Sequence, residues 1–377
     1  MATQTDFNNF DWSSFSRNWK MWWDGTLDRP MVMFERIDPE WAREFQKKHG
    51  LAELPSREAS LSFTGQFGLN TPTDEVLQFY HDLMNHIEFY GDAFPKFWPN
   101  YGPGVVAAFL GGNYQITADT TWITPPKTEE GVSFENLPLD KISFAYDPEH
   151  PLWRRIYSLT AGAVLLWKDQ VSIGITDLGG NLDALASLIG SERLAMEMLD
   201  NPEQVERLCR EIRQSWLQYY DQLYALIDVD SIGCSCWAAV WASERYYMFQ
   251  SDFAYMISPQ MFRRFVIPDL DACAKRIPYS FYHLDGKGQI PHLDQLIALD
   301  SLRGIQWIPG DGAPPSEEWL PLLEKIIAGD KRCQLYVSAE GARRIVKELG
   351  GKGFALYITD DLSPSAAEAL VEELISE

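Results

Sequence analysis

A histidine and an aspartate late in the chain have a spacing that could support chemistry. Residues 281–286 are Phe-Tyr-His-Leu-Asp-Gly, an aromatic and apolar run that ends in polar residues and a glycine. On a strand, His283 and Asp285 would face the same side because successive side chains alternate. Such a pair can bind a metal ion, or the carboxylate can orient the imidazole. A histidine that is satisfied by a backbone partner is the structural alternative.

Further carboxylates follow other apolar runs. If these runs are buried strands, the carboxylates lie at the strand ends, where an active site could form. Asp252 lies in an aromatic-rich segment, residues 237–257, that we expect to form a loop after a predicted strand. We expect the carboxylates to shape and charge a pocket at the ends of the strands; they are Asp92, Asp177, Asp252 and Asp360 with Asp361. Cys234 and Cys236 could supply soft metal ligands or a redox pair, although small buried cysteines are the simpler interpretation.

Three tryptophans are candidates for the walls of this pocket. Trp237 and Trp241 lie in the aromatic-rich segment, and Trp307 lies in a second apolar run, residues 304–310. Aromatic rings together with acids suit a small organic substrate, including a cationic or methylated one. The alternative is an aromatic lid that packs on itself.

The elements that must position these residues form a repeating pattern. Eight short apolar runs, each followed by a helical pattern, lie near residues 31, 93, 171, 231, 281, 304, 333 and 354. Such alternation indicates a parallel sheet covered by helices, and eight units predict a closed (β/α)₈ TIM barrel of the α/β class. An open doubly wound sheet with a second domain is the alternative, but no glycine-rich fingerprint follows the first strand. With no evident linker, we expect one domain over residues 1–377.

The first 28 residues form an aromatic N-terminal helical extension to this domain. Trp12, Phe15, Trp19 and Trp22 have the spacing of one helical stripe. This pattern predicts a helix that closes one end of the barrel, or one that makes a homodimer contact.

Composition excludes several classes of partner. A net charge of −22 and a pI near 4.6 disfavour binding to nucleic acid or to an anionic membrane. No apolar run approaches the roughly 18 residues of a membrane span. An odd number of cysteines, five, in a long chain whose N-terminus has no secretion pattern predicts reduced thiols and a cytoplasmic location.

Several segments resemble one known superfamily. Residues 256–268, Met-Ile-Ser-Pro-Gln-Met-Phe-Arg-Arg-Phe-Val-Ile-Pro, resemble a segment of the uroporphyrinogen decarboxylase and corrinoid methyltransferase superfamily. Residues 283–286 fall where that family has a strand that ends in His-x-Cys-Gly. Gly91-Asp92, residues 177–190 and Pro202-Glu203 also resemble family segments. The resemblance covers the chain from about Arg29 onwards, and it implies a uroporphyrinogen decarboxylase-like barrel.

The methyltransferase branch of the family supplies the leading hypothesis for function. Its members move a methyl group to or from a corrinoid carried by a partner protein, commonly with zinc held by histidine and cysteines. Here His283 matches, whereas Asp285 and Asp360 occupy the places of the cysteines. The resemblance therefore implies a methyltransferase for a small methylated substrate, with His283, Asp285 and Asp360 as zinc ligands.

Two other functions remain open on the sequence. A decarboxylase or lyase of the same family would use Asp92 as its acid or base. The arginine-rich N-terminal motif of the porphyrin enzymes is missing, and Thr359-Asp360-Asp361 replaces their C-terminal Gly-His-Gly. A non-catalytic barrel that binds a small molecule is the third hypothesis.

Overall fold

Helices and strands alternate through most of the chain. The computed structural model describes residues 7–51, 54 and 63–376. The strands are β1 Met31–Ile37, β2 Ile87–Gly91, β3 Lys96–Phe97, β4 Asn113–Ile116, β5 Thr121–Thr124, β6 Ser172–Ile175, β7 Cys234–Cys236, β8 Trp241–Ala242, β9 Tyr246–Gln250, β10 Tyr279–Asp285, β11 Gly304–Ile308, β12 Arg332–Val337 and β13 Phe354–Ile358.

Helices of varied length cover these strands. The α-helices are α1 Trp12–Asp24, α2 Pro39–His49, α3 Thr73–Met84, α4 Val106–Phe109, α5 Pro151–Trp167, α6 Asn181–Ile189, α7 Ser191–Asp200, α8 Pro202–Tyr224, α9 Val229–Ile232, α10 Pro259–Phe265, α11 Ile267–Ala274, α12 Leu293–Ile297, α13 Leu320–Ala328, α14 Ala339–Leu349 and α15 Pro364–Ser376. None of the helices in the described ranges is both long and apolar enough to cross a lipid bilayer.

The strands form two main sheets and a separate hairpin. One sheet has seven strands in the order β2-β1-β13-β12-β11-β10-β9, and all its neighbours except β2 and β1 pair in parallel. The second has the order β3-β6-β7-β8, with only the last pair antiparallel. Strands β4 and β5 pair with each other. Parallel strands buried under helices make this an α/β fold, as the apolar runs predicted.

Local structure differs from the sequence expectation in the middle of the chain. The run near residue 231 begins as helix α9, and its strand is confined to Cys234–Cys236. The segment 237–257, expected to be a loop, contains β8 and β9. Strand β9 is an apolar aromatic stretch, Tyr-Tyr-Met-Phe-Gln, that pairs in parallel with β10. Asp252 therefore follows the end of a sheet strand directly.

The aromatic N-terminal helix is packed inside the chain. Helix α1 begins at Asp11, which accepts the backbone N–H groups of Ser13 and Ser14, and its buried aromatic residues include Trp19, Trp22 and Trp23. The indole of Trp22 donates to the Phe354 carbonyl at 3.0 Å. Of the predicted stripe, Phe15, Trp19 and Trp22 are therefore buried within the chain, whereas Trp12 is half-buried.

Candidate functional site

Strand β10 carries two of the predicted site residues on one face. The strand runs from Tyr279 to Asp285 between β9 and β11. Alternation along the strand places His283 and Asp285 on the same face, and both are half-buried. Tyr282 and Leu284 on the other face are buried, and the ring of Tyr282 packs against Phe262 of α10. His283 and Asp285 therefore point away from the helix layer.

Asp252 joins these two residues from the neighbouring strand. It follows β9 by two residues and begins a short 3-10 helix, Asp252–Met256. One ligand atom from each of Asp252, His283 and Asp285 lies within 4.8 Å of the others. No other group of three histidine, cysteine, aspartate or glutamate side chains meets this spacing in the ranges that the structure describes.

Asp183 fixes the segment that carries Asp252. Its two carboxylate oxygens accept the backbone N–H groups of Asp252 and Phe253, at 2.9 and 2.8 Å. Gly180 allows this approach, because a β-carbon there would lie 2.2 Å from the carbonyl oxygen of Gln250. Helix α6 and the end of β9 are thus held together by backbone contact and by one carboxylate.

The imidazole of His283 is held by an amide from the next strand. Nδ1 of His283 donates to Oε1 of Gln306, and Nε2 of Gln306 donates to Oε1 of Gln334. The three residues are opposite one another on β10, β11 and β12. Because Nδ1 donates in this arrangement, a neutral imidazole would carry its lone pair on Nε2, which is the form that a metal ion needs.

Trp237 supplies the aromatic surface beside the histidine. Its ring is 5.3 Å from the His283 ring, at an interplanar angle of 80°, and the residue is half-buried. The edge-to-face contact places the tryptophan next to the three ligand atoms. Trp237 was one of three tryptophans predicted for the pocket wall.

The other two predicted tryptophans lie elsewhere. Trp241 is buried against Phe15 of α1, and its indole donates to the Ile232 carbonyl at 2.6 Å. Trp307 is buried against Trp319, with the two rings 5.2 Å apart. Strand alternation turns Trp307 to the face opposite Gln306, towards the helices.

Asp177 is a further buried acid near Asp252. It follows β6, accepts the Gly179 N–H at 2.9 Å and is 6% exposed. Burial, together with the charges of Asp252 and Asp183, raises the pKa of Asp177 to about 7. Burial and the charge of Asp252 likewise raise the pKa of Asp183 to about 7. Both groups titrate near neutral pH.

The remaining two predicted acids are engaged in other roles. Asp92 accepts both terminal nitrogens of Arg29, at 2.6 and 3.0 Å, and also the Val32 N–H at the beginning of β1. It therefore lies near the amino end of β1, whereas Asp285 is at the carboxyl end of β10. Asp360 accepts the Ala339 N–H at the start of α14 and is not one of the three clustered ligands.

Cys234 and Cys236 are buried on β7. Burial raises the pKa of each thiol to about 12, so both are protonated at neutral pH. A protonated thiol is a poor metal ligand and a poor nucleophile. The structure gives these residues the properties of small apolar side chains.

Sequence reasoning missed three residues around the cluster: Asp183, Gln306 and Gln334. A lone glutamine stands among apolar residues in each of β11 and β12, and both side chains are at most 1% exposed. A polar residue in a buried strand is unusual and could have drawn attention to them. Asp183 carries no comparable pattern, because acids are common in the first turn of a helix.

The donor set at this cluster fits a zinc ion. Zinc binds imidazole nitrogen and carboxylate oxygen, and Asp252, His283 and Asp285 offer one nitrogen and two carboxylates. The hydrogen bond from Nδ1 of His283 to Gln306 is the outer contact that metal-binding histidines usually make. With three protein ligands, a fourth position would be left for a substrate.

Comparisons with known proteins place this chain by fold alone. No protein-family model and no curated protein sequence matches it. A methyltransferase from Methanosarcina mazei superposes with a TM-score of 0.52 and 11% identity, over 74% of this chain and 80% of that one. The putative copper homeostasis protein CutC from Streptococcus agalactiae gives a TM-score of only 0.27, with 14% identity over 53% of this chain and 80% of that one. The chain thus shares the fold of the methyltransferase.

Proposed function

We propose that this protein is a methyltransferase of the corrinoid-linked type that acts on a small methylated organic substrate in the cytoplasm. The observation that carries the proposal is the convergence of Asp252, His283 and Asp285 within 4.8 Å at the ends of two adjacent parallel strands. Asp252 takes the place that the sequence suggested for Asp360. The fold shared with a solved methyltransferase supports the same function.

We further propose that the two sheets close into one barrel and that this barrel carries the cluster. Two contacts support closure of the two sheets into one (β/α)₈ uroporphyrinogen decarboxylase-like barrel. Strand β7 contacts β9, and Lys96 of β3 forms a buried ion pair with Glu35 of β1. In such a barrel the three ligands would lie at the carboxyl ends of the strands, where barrel active sites are found.

The chain's own residues would bind and orient the reacting groups. A zinc ion held by the cluster would supply Lewis acidity towards the heteroatom that carries the methyl group. Asp252 and Asp285 would balance the charge of the metal ion, and Trp237 would pack against the substrate. In the transfer the carbon–heteroatom bond would break with the electron pair staying on the heteroatom. A reduced corrinoid supplied by the partner protein would contribute the pair for the new bond to the methyl carbon.

The alternatives receive less support. The decarboxylase hypothesis needs a proton-transfer role for Asp92, but its two oxygens are engaged by Arg29 and the Val32 amide. A non-catalytic binder would need no group that polarises a substrate, and the converging nitrogen and carboxylate donors favour an enzyme over it.

Metal analysis and a transfer assay test the proposal. Purified protein reconstituted with zinc should retain about one equivalent after dialysis, and His283→Ala or Asp252→Asn should lose it. Asp360→Asn is the matched control. Asp360 is outside the cluster, so the variant protein should retain the metal. The zinc-loaded protein is then mixed with reduced free corrinoid and with methylated amines, thiols or ethers. The absorbance of the corrinoid reports its methylation. Absence of stoichiometric metal from the wild-type protein contradicts the Lewis-acid mechanism.

A further inference from the structure

Two buried glutamines connect the proposed metal site to the interior of the sheet. Gln306 is 1% exposed and Gln334 is fully buried. Residues inside parallel sheets of this kind are usually large and apolar. Burial of two amides is unfavourable unless their hydrogen bonds are made, so their presence calls for a role.

The amides form a directional chain. Nδ1–H of His283 donates to Gln306, and the Gln306 amide donates in turn to Gln334. Rotation of both amides by 180° would reverse the direction. Gln306 would then donate to Nδ1, the imidazole proton would move to Nε2, and the lone pair of Nε2 would be lost.

The observed direction leaves one donor without a partner. Nε2 of Gln334 is buried and finds no acceptor within the described part of the chain. A buried donor without an acceptor is unfavourable, so this direction must be stabilised from elsewhere. A cation at Nε2 of His283 would stabilise it, because only this direction leaves that nitrogen unprotonated.

We propose that Gln306 and Gln334 are positioning residues that hold His283 in its Nδ1–H tautomer and so present Nε2 to Asp252 and Asp285. As an account of metal binding, the inference rests on the proposed function. The tautomer itself can be measured without any metal. The two glutamines decide which nitrogen of His283 carries the proton. They do not change the number of protons bound, so the arrangement is not a pH switch.

Substitutions at the two glutamines separate the possibilities. Gln306→Leu removes the acceptor, so the imidazole should populate the Nε2–H tautomer that is usual in water, and zinc affinity should fall about 10- to 100-fold. Gln306→Glu can accept both from Nδ1 and from the Gln334 amide, so tautomer and affinity should be retained. Gln334→Glu can only accept when its carboxyl group is ionised, and in that form it should lock the observed direction and bind zinc at least as tightly as the wild type.

The experiment combines nitrogen NMR of metal-free protein labelled at its six histidines with competition titration of zinc. Thr160→Val is the control, because its buried hydroxyl bonds only within α5. Circular dichroism shows that each variant is folded, and Gln306→Glu keeps the test valid if Gln306→Leu fails to fold. An Nδ1–H tautomer that depends on residue 306 supports the inference even if zinc does not bind. In that case the proposed function is wrong, but the role of the glutamines stands. A proton on Nε2 in the wild type, or a Gln306→Leu variant with unchanged tautomer and affinity, overturns it.

Discussion

The carboxylate of Asp183 accepts the backbone N–H of Asp252 at 2.9 Å, and its other oxygen accepts the N–H of Phe253. An acid that is not itself in the cluster thus fixes the backbone from which one clustered ligand projects. Outer contacts of this kind typically change metal affinity by one to two orders of magnitude when they are removed.

Asp183→Ala should therefore weaken zinc binding about 10- to 100-fold. The physical reason is that the segment at Asp252 loses both of its side-chain acceptors and samples other positions. Competition titration with a chromophoric chelator measures the affinity. Asp147→Ala is the control, because Asp147 accepts the Glu149 N–H before α5. Equal zinc affinity in the two variants would refute this role for Asp183.

Asp177→Asn should stabilise the protein at alkaline pH. The folded pKa of Asp177 is about 7, above the ordinary value of 3.8, so the folded chain holds a proton that the unfolded chain releases. Stability therefore falls as the pH rises between about 4 and 7, by at most about 1.4 kcal/mol per pH unit for one group. Asparagine removes this loss and still accepts from Gly179. The gap in Tm between variant and wild type should widen from pH 4 to pH 8, and a constant gap would contradict the assignment.

Arg29→Ala should destabilise the fold without affecting the metal site. It leaves the Asp92 carboxylate, which is 3% exposed, without its counter-charge, and such losses cost about 3 kcal/mol. Arg343→Ala is the control, since its pair with Glu373 is exposed and should contribute under about 1 kcal/mol. Urea unfolding measures both. Unchanged zinc affinity in Arg29→Ala is also expected, and a large loss of affinity would link Asp92 to the cluster after all.

The two tryptophans of the aromatic segment should respond differently to substitution. Trp237 lies 5.3 Å from His283, so paramagnetic Co²⁺ bound at the cluster should quench its fluorescence. Trp237→Phe should remove this quenching, whereas Trp241→Phe should retain it. Trp241→Ala should instead cost about 3–5 kcal/mol, because a large ring buried against α1 is lost. Quenching that survives in Trp237→Phe would place the metal elsewhere.

The sequence was sufficient for the α/β class and for the geometry of β10. Period-two alternation predicts that His283 and Asp285 share a face, and the structure has them on one face. The chain shares the fold of a solved methyltransferase, and this is the coarser part of what the resemblance implied. These inferences rest on patterns within single elements or along the whole chain.

What the sequence could not supply was the register between strands. Gln306 faces His283 because β11 pairs with β10 in one particular alignment, and nothing in either run specifies that alignment. Strand β9 was not predicted either, because residues 237–257 were expected to form a loop. Without that strand, Asp252 could not be placed beside Asp285. Asp360 shows a related ambiguity, since an acid that follows a strand can also accept a backbone N–H at the start of a helix, as Asp360 does from Ala339.

The packing of α1 has a consequence for how the chain reaches its native state. The Trp22 indole donates to the Phe354 carbonyl, a contact between residues 332 positions apart. During synthesis the helix is made long before its partner strand, so the three buried tryptophans remain exposed while the intervening residues are made. Closing so long a loop is slow, and we therefore expect helix α1 to benefit from a chaperone during synthesis.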